Sequence, residues 1–279
     1  MERHDEVHGN SGSWQVATFN VNGIRARLPL VFSWLRDRRP DVLCLQEIKC
    51  QERDFPYQAF SELGYTATVY GQKAFNGVAF LSLSEPAEVW RGFGDAFSED
   101  EARIICGLFG GVWIVNTYVP QGRSPQDPAF RFKLDFFAKL LDWFRERFDP
   151  QWPVIWTGDL NVAPEPIDVY DPVRLQGEVG FHPDEQAALE RVKGWGFVDL
   201  FRMHNPGKRQ YTFWDYRIPK AFQRNLGWRL DHVMATRFLA DRSRECRVDD
   251  QSRGVEKASD HAPVVAVFDA ESLDATHFH

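Results

Sequence analysis

Residues 154–164 have the sequence VIWTGDLNVAP, and the rest of the chain is organised around them. The first four are apolar or β-branched, follow Pro153 and stop at Gly158, which predicts a short buried strand that runs into a turn. Asp159 and Asn161 then lie on the loop at the carboxyl end of this strand, where open α/β sheets place their sites. Alone, the stretch is more typical of a turn in which Asp and Asn bond their own backbone. A catalytic role is therefore favoured only if other strand ends carry similar loops.

The composition is that of an ordinary globular protein. The chain has 279 residues, of which 43% are hydrophobic and 26% are charged, and this length easily buries a core. No apolar run approaches the length of a membrane span, and the start of the chain lacks the apolar region of a signal peptide. Because no linker divides the chain, we expect one domain at residues 14–270. A disordered tail at residues 1–13 and a second tail at residues 271–279 are expected to flank it.

The four cysteines form no C-x-x-C pair. Cys44 and Cys106 lie within apolar, strand-like runs, which favours buried free thiols. This cysteine usage indicates a reducing, cytoplasmic setting and disfavours a zinc site.

Charge is unevenly distributed. The net charge of −7 counts weakly against a nucleic-acid binder. Residues 207–231, however, contain six basic and two acidic side chains interleaved with six aromatic ones. This pattern suits phosphates together with bases or sugars. A solvated loop whose aromatic side chains are tucked into the core is an equally good interpretation.

Hydrophobic periodicity predicts alternating strands and helices. Strands are expected at residues 14–19, 42–45, 66–70, 78–83, 104–108, 112–119, 154–157, 230–234 and 264–268. Helices are expected at residues 30–38, 130–148 and 183–193, with loops at 95–101 and 164–179. Residues 17–22 and 156–161 echo each other, since both are strand ends that carry two polar residues separated by one. An α/β sandwich of two similar halves, whose polar loops meet at one edge, would account for the echo.

Polar side chains end many of these apolar runs, and three more come just before the last one. They are Asn20, Asn22, Glu47, Tyr118, Asp159, Asn161, Asp231, Ser259, Asp260 and His261. Carboxylates and amides without cysteine favour Mg²⁺ or Mn²⁺, and such a metal suits phosphate substrates. Asp159 is placed to take a proton from water, while Tyr118 and a protonated His261 offer donors to a phosphate. Each residue alone is equally compatible with an ordinary turn.

Seven motifs occur in order along the chain. They are residues 19–27 (FNVNGIRAR), 45–49 (LQEIK), 118–122 (YVPQG), 157–164 (TGDLNVAP), 211–217 (YTFWDYR), 227–231 (GWRLD) and 259–264 (SDHAPV). Each is weak, but the ordered set resembles the exonuclease III family of apurinic/apyrimidinic endonucleases, within the endonuclease/exonuclease/phosphatase superfamily. The resemblance covers residues 14–268.

The resemblance implies a DNase I-like, four-layer α/β sandwich of two packed mixed β-sheets flanked by helices. It implies Mg²⁺-dependent hydrolysis of the phosphodiester 5′ to abasic sites, with Mn²⁺ as a substitute. It also implies removal of 3′-blocking groups and 3′→5′ exonuclease activity. The expected partner is double-stranded DNA with abasic sites or blocked 3′ ends. The protein is expected to be a monomer, cytoplasmic and associated with the bacterial nucleoid.

The resemblance also assigns roles to residues. Glu47 is implied to be the principal metal ligand, and the wider metal set is Glu47, Asn20, Asp159, Asn161, Asp260 and His261. The implied catalytic set is Asp159, which activates water, Asn161, Tyr118, His261, and Asp231, which orients His261. Residues implied to bind substrate are Asn22, Arg25, Gln121, Arg123, Phe213, Trp214, Arg217, Trp228 and Leu230. Of these, Phe213, Trp228 and Leu230 would line the pocket for a flipped abasic sugar, and Arg229 is expected to flank the site.

Two alternatives remain open. A phosphatase or phosphodiesterase acting on small phosphates or lipids would share the catalytic residues but would not need the basic and aromatic segment 211–231. A catalytically silent DNA-binding module would predict losses among Glu47, Asp159, Asn161 and His261, and none of these is lost.

Overall fold

A computed structural model describes residues 12–94 and 101–270. Most of the predicted N-terminal tail, most of the acidic loop at 95–101 and the tail at 271–279 lie outside the described residues. The strands are β1 (Ser13–Asn20), β2 (Val42–Gln46), β3 (Thr66–Tyr70), β4 (Val78–Ser82), β5 (Val89–Arg91), β6 (Ile104–Phe109), β7 (Val112–Tyr118), β8 (Val154–Asp159), β9 (Phe197–Asp199), β10 (Asp231–Thr236), β11 (Ser243–Val248) and β12 (Val264–Asp269). The helices are α1 (Ile24–Arg38), α2 (Tyr57–Ser61), α3 (Pro128–Arg147), α4 (Pro183–Lys193), α5 (Leu200–His204) and α6 (Arg237–Ala240).

The strands form two six-stranded sheets. Their orders are β11-β12-β1-β2-β4-β3 and β5-β6-β7-β8-β10-β9. Each sheet has one parallel pair near its centre, β1 with β2 and β7 with β8, and antiparallel pairs elsewhere. The predicted mixed sheets and similar halves are therefore confirmed.

Three apolar clusters define four layers. Between the sheets, Val16 and Phe80 of one sheet share a buried cluster with Ile155 of the other. On the outer face of the first sheet lies α1. On the outer face of the second sheet, α3 and α4 pack against β7 and β8, with Phe137 beside Trp156 in one cluster. This is the predicted four-layer sandwich, in which each sheet buries both faces.

The helix α3 shows why the sequence folds this way. Asp127 caps its first turn by accepting a hydrogen bond from the backbone N–H of Ala129, and Pro128 occupies the first helical position. The buried stripe of α3 includes Phe130 and Phe137, as the periodicity predicted, and it also contains Lys133.

Strands β5, β9 and β11 and helices α2, α5 and α6 were not predicted, and several boundaries differ from the prediction. The helix α1 begins at Ile24 rather than at residue 30, with Pro29 inside it. A proline in the interior removes one backbone donor, yet burial of the apolar face of α1 outweighs that loss. In addition, Asp231 begins β10 rather than ending a strand. Because β10 runs antiparallel to β8, with Asp231 opposite Asp159, the start of β10 lies at the edge where β8 ends.

The predicted loop at residues 164–179 is confirmed but well packed. It contains a 3₁₀ turn at Pro166–Asp168, and Val169 and Leu175 join a small buried cluster with Phe181 and Leu230. Within residues 12–94 and 101–270, no helix is both long enough and apolar enough to cross a membrane.

Candidate active site

The polar strand ends of both sheets meet at one edge. Asn20, at the end of β1, donates from its side-chain amide to Glu47 Oε1 and to Asp159 Oδ2, both at 2.8 Å. One buried amide therefore links a carboxylate after β2 in the first sheet to a carboxylate that ends β8 in the second. A cavity of about 560 Å³ opens here and is lined by Glu47, Tyr118, Asp159, Asn161 and His261 together with aromatic and basic side chains.

Several residues at this edge have unusual backbone geometry. Asn22, Glu47 and Asn161 have φ of 46°, 49° and 53°, in the left-handed region that most residues avoid. Gly158, which precedes Asp159, has φ of 137°, and a Cβ atom there would lie 1.9 Å from the carbonyl oxygen of Thr117. Strained conformations of this kind are held by the surrounding structure and cluster at functional sites. The glycine is required because the backbones of β7 and β8 approach so closely.

Asp159 is a buried carboxyl group with a nearly neutral pKa. It is 1% exposed, and Asn161 donates to it from the backbone N–H at 3.0 Å and from the side-chain amide at 3.3 Å. Burial raises the pKa of Asp159 to about 7, with the opposing charge of His261 only partly offsetting it. A carboxyl group that titrates near pH 7 is well suited to exchange a proton during catalysis.

His261 is held between two carboxyl groups. Its Nδ1 atom lies 2.7 Å from Asp231 Oδ2, and its Nε2 atom lies 3.8 Å from Asp159 Oδ2. Burial by itself lowers the pKa of His261, but the charges of Asp231 and Asp159 and the hydrogen bond to Asp231 outweigh it and raise the pKa to about 10. His261 is therefore a cation at neutral pH, oriented by Asp231 and suited to an anionic substrate.

Two groups of side chains at this edge are rich in possible metal ligands. In the first, ligand atoms of Asp159, Asp231 and His261 lie within 4.8 Å of one another. His261 can ligate a metal only after losing its proton, because ligand nitrogens must be neutral. This requirement favours a phosphate contact over a metal ligand for His261.

The second group is rich in oxygen. Lys49 Nζ lies 2.7 Å from Glu47 Oε2 and also donates to the Asn22 side-chain oxygen, while the Asn22 amide donates to Asp260 Oδ1 at 3.0 Å. Burial raises the pKa of Glu47, but Lys49 and the Asn20 amide outweigh it and leave the pKa below its usual value. A lysine ammonium thus lies among hard oxygen atoms, and the donor set fits Mg²⁺ or Mn²⁺.

Tyr118 supplies a protonated phenol. Burial raises its pKa well above the usual value, and the nearby charges of Glu47 and Asp159 raise it further. The hydroxyl group therefore keeps its proton at neutral pH and can act as a hydrogen-bond donor.

An apolar wall completes the cavity. Phe213 and Trp228 form two backbone hydrogen bonds with each other at 2.9 Å, and both line the cavity together with Leu230. The Phe213 ring lies 4.9 Å from the His261 ring. Tyr211 is buried in the core, as one interpretation of segment 207–231 expected, whereas Phe213 and Trp228 face the cavity.

Trp214 does not reach the cavity, and the expectation that it contacts substrate is wrong for this conformation. It is 1% exposed, packs edge-on against Phe222 and points its indole nitrogen at Asn225 Oδ1, 3.4 Å away. Phe213 and Trp214 are adjacent in extended backbone, so their side chains point to opposite faces. Only one of the two can line the cavity.

The arginines expected near the site are placed differently. Arg217 lines the cavity and is 84% exposed, paired with Asp215 at 2.7 Å. Arg25 and Arg123 are exposed, outside the lining of the cavity. Arg229 is 1% exposed.

The expectation that Arg229 flanks the site as a surface cation is therefore wrong. It pairs with Asp168 and with Asp199, each at 2.7 Å. Because its guanidinium is bound by both carboxylates, Arg229 anchors the loop before β10 and is not available to a ligand.

Sequence reasoning missed a buried ion pair behind the site. Lys133 and Glu185 have side chains that are 0% exposed and contact each other. Lys133 Nζ also donates to the carbonyl oxygens of Asn161 at 2.7 Å and Gln121 at 3.2 Å. The signal was present, since Lys133 interrupts the apolar stripe of α3 at helical spacing.

Comparisons with known proteins agree with this geometry. The model described as the Endonuclease/Exonuclease/phosphatase family matches residues 17–261. The chain is 35% identical to exodeoxyribonuclease III of Haemophilus influenzae over 263 residues, which is 90% of this chain and 98% of the relative. An AP endonuclease from Archaeoglobus fulgidus has a similar structure, with a TM-score of 0.89, 42% identity, and coverage of 91% of this chain and 99% of that one. A 3′ phosphatase from Neisseria, solved with a product DNA hairpin, gives a TM-score of 0.88, 34% identity, and coverage of 92% and 99%.

Proposed function

We propose that this chain, which belongs to the endonuclease/exonuclease/phosphatase family, is a Mg²⁺-dependent DNA repair nuclease that hydrolyses the phosphodiester 5′ to an abasic site. Its further activities are removal of 3′-blocking groups and 3′→5′ exonuclease cleavage. The observation that carries the proposal is the convergence of three features in one cavity: a buried carboxyl group of nearly neutral pKa, a cationic histidine and an apolar wall.

Asp159 acts on the attacking water. Water attacks the phosphorus atom, Asp159 accepts its proton, and the bond from phosphorus to the 3′ oxygen breaks. The pKa of about 7 supports this role, because a base works best when its pKa lies near the operating pH. The three hydrogen bonds that Asp159 accepts from Asn20 and Asn161 orient the carboxylate toward the cavity.

His261 and Tyr118 stabilise the phosphate. The imidazolium of His261 and the phenol of Tyr118 both line the cavity as donors, and preorganised donors act where negative charge develops. Asp231 keeps the imidazole protonated and in position through the 2.7 Å contact at Nδ1.

Glu47 and Asp260 would hold the metal, with Asn20 orienting Glu47. The oxygen donors and the lysine ammonium that already lies among them support this placement. When bound, Mg²⁺ polarises a phosphoryl oxygen and screens the leaving oxyanion.

Phe213, Trp228 and Leu230 receive the abasic sugar. An enzyme that acts on a damaged nucleotide within a duplex draws it out of the helix, and a missing base lowers the cost of unstacking. A wall of two aromatic rings and a leucine suits a sugar without a base. The protein is proposed to act as a monomer on chromosomal DNA in the bacterial nucleoid.

One gel tests the proposal. A duplex with a single abasic analogue, an undamaged duplex of the same sequence and a chelator control are incubated with the protein. We expect one cut 5′ to the analogue, slower degradation of the undamaged duplex from its 3′ ends, and loss of both with chelator. Equal cleavage of both duplexes at internal sites, or full activity in chelator, would contradict the assignment.

A further inference from the structure

A second cavity adjoins the candidate active site. Its volume is about 480 Å³, and its lining includes Arg27, Arg253 and Lys257 together with Tyr216 and Gln223. Tyr216 also lines the active-site cavity, so the two spaces share a wall. Three of the lining side chains are cationic, and none of the lining residues is acidic.

The two arginines have donors without acceptors. Arg27 Nε and Arg253 Nε are buried and have no hydrogen-bond partner among the described residues. Arg27 Nη2 makes one long contact, at 3.4 Å, with the Tyr216 hydroxyl. Guanidinium groups at a cavity whose lining holds no carboxylate suit an anion, and their geometry matches a phosphate well.

The shared wall holds these cations in place. The Tyr216 hydroxyl donates to the Ala258 carbonyl oxygen. The Arg253 guanidinium lies 5.3 Å from the centre of the Tyr216 ring and 5.4 Å from that of Phe222. Stacking on two rings fixes the position of Arg253 without consuming its hydrogen-bond donors. The negative charge of Asp260 interacts with Arg253, but Asp260 lines the active-site cavity and not the second cavity.

The overall charge makes this local arrangement important. At −7 the chain as a whole repels DNA, so affinity has to come from cations grouped on the binding face. Arg217 is already paired with Asp215. The lining of the second cavity, beside the same site, holds no carboxylate that would neutralise its arginines.

We propose that the arginine pocket, formed by Arg27, Arg253 and Lys257, binds one backbone phosphate of the duplex that flanks the phosphate being cleaved. The inference rests on the proposed function, since it takes DNA as the ligand. The pocket positions the strand so that the abasic nucleotide reaches the wall of Phe213 and Trp228.

Binding measurements with neutral phosphate substitutions test the pocket directly. Fluorescence anisotropy in chelator gives the Kd for a set of abasic-analogue duplexes, each with one phosphate replaced by a methylphosphonate. The wild-type protein should lose affinity at the cleavage position and at a flanking position. Arg27→Gln and Arg253→Gln should remove the sensitivity at the flanking position alone.

The salt dependence gives a second readout. Each phosphate contact contributes about −0.9 to the slope of log K against log [salt], so each variant should flatten the slope by up to about 0.9. Arg36→Gln is the matched control, because Arg36 lies on the same helix as Arg27 but is 61% exposed and outside the pocket. Its slope and its methylphosphonate profile should equal those of the wild type.

The outcomes separate the possibilities. If both arginine variants melt like the wild type and keep every methylphosphonate sensitivity, the pocket does not bind the strand. A different result is that inorganic phosphate binds the wild type but not Arg253→Gln, while no methylphosphonate position changes the Kd. In that case a free phosphate is the ligand and the proposal is overturned. A protein that shows the expected binding profile but does not cut abasic duplex would instead contradict the proposed function, because binding in chelator needs no cleavage.

Discussion

The buried pair behind the active site offers a test that separates stability from positioning. Lys133 donates to Glu185 and to the carbonyl oxygens of Asn161 and Gln121. Glu185 in turn accepts from the backbone N–H groups of Gly180 at 2.7 Å and His182 at 3.2 Å. The pair therefore connects α3 and α4 to the loop that carries the proposed catalytic Asn161.

Lys133→Met should lower the free energy of unfolding substantially. Methionine fills much of the same space, but Glu185 would remain as an unpaired charge at a site with 0% exposure. Removing one partner of a buried ion pair costs about 3–5 kcal/mol. Urea denaturation should show this as a lower midpoint with an unchanged slope.

The double variant Lys133→Met/Glu185→Gln distinguishes the two roles. The glutamine is neutral and still accepts from Gly180 and His182, so much of the lost stability should return. The Asn161 carbonyl, however, still lacks the ammonium that holds it. We therefore expect Lys133→Met and the double variant both to have a lower kcat on abasic duplex than the wild type, with little change in KM.

Two results would refute this reasoning. If Lys133→Met unfolds at the wild-type urea midpoint, the stability of the protein does not depend on the positive charge of Lys133 beside Glu185. If the double variant regains both stability and kcat, Lys133 has no positioning role, and the loss in the single variant is one of folding alone. Arg131→Met is the control on the same helix, since Arg131 is 78% exposed and the change should alter neither quantity.

Four further outcomes follow from the site. Asp159→Asn should lower turnover by about 10²–10⁴-fold while binding of abasic duplex persists, and near wild-type turnover would mean that another residue activates water. Glu47→Gln should raise the Mg²⁺ concentration needed for half-maximal cleavage, and full activity at limiting Mg²⁺ would exclude Glu47 as the principal ligand. Trp228→Ala should reduce discrimination between abasic and undamaged duplex with little change in melting, whereas Trp214→Ala, at a position 1% exposed, should cost about 3–5 kcal/mol and depress all activities together. The pKa of His261 is raised from 6.5 to about 10. This shift contributes stability that is complete below pH 6.5 and is lost as the pH rises through about 10. Denaturation midpoints in chelator should therefore fall less steeply over that window for His261→Gln than for the wild type.

Local patterns in the sequence were sufficient to predict an α/β sandwich of two similar halves and most of its longer strands, whereas the four layers came from the family resemblance. Continuous apolar runs such as residues 42–45 and 154–157 indicated strands buried on both faces, and the structure confirms them. Burial and periodicity are properties of a short window, so they can be read without knowing the partner. The ordered motifs added the family, because a set of polar strand ends in a given order is far more specific than any one of them.

Tertiary structure decided which of the predicted side chains face the cavity. Phe213 and Trp214 are neighbours of similar size, and only the pairing of their backbone with Trp228 on one side and with Asp260 and His261 on the other determines which ring faces inward to the site. The sequence predicted Arg229 as a cation that flanks the site, but its guanidinium donates to Asp168, which is 61 residues earlier in the chain. Lys133 and Glu185 are likewise 52 residues apart. The sequence by itself determined most of the longer elements, their order and the chemistry of the strand ends. Short elements such as β5 and β9, side-chain orientation and charge pairing depend on contacts between distant segments that no local window contains.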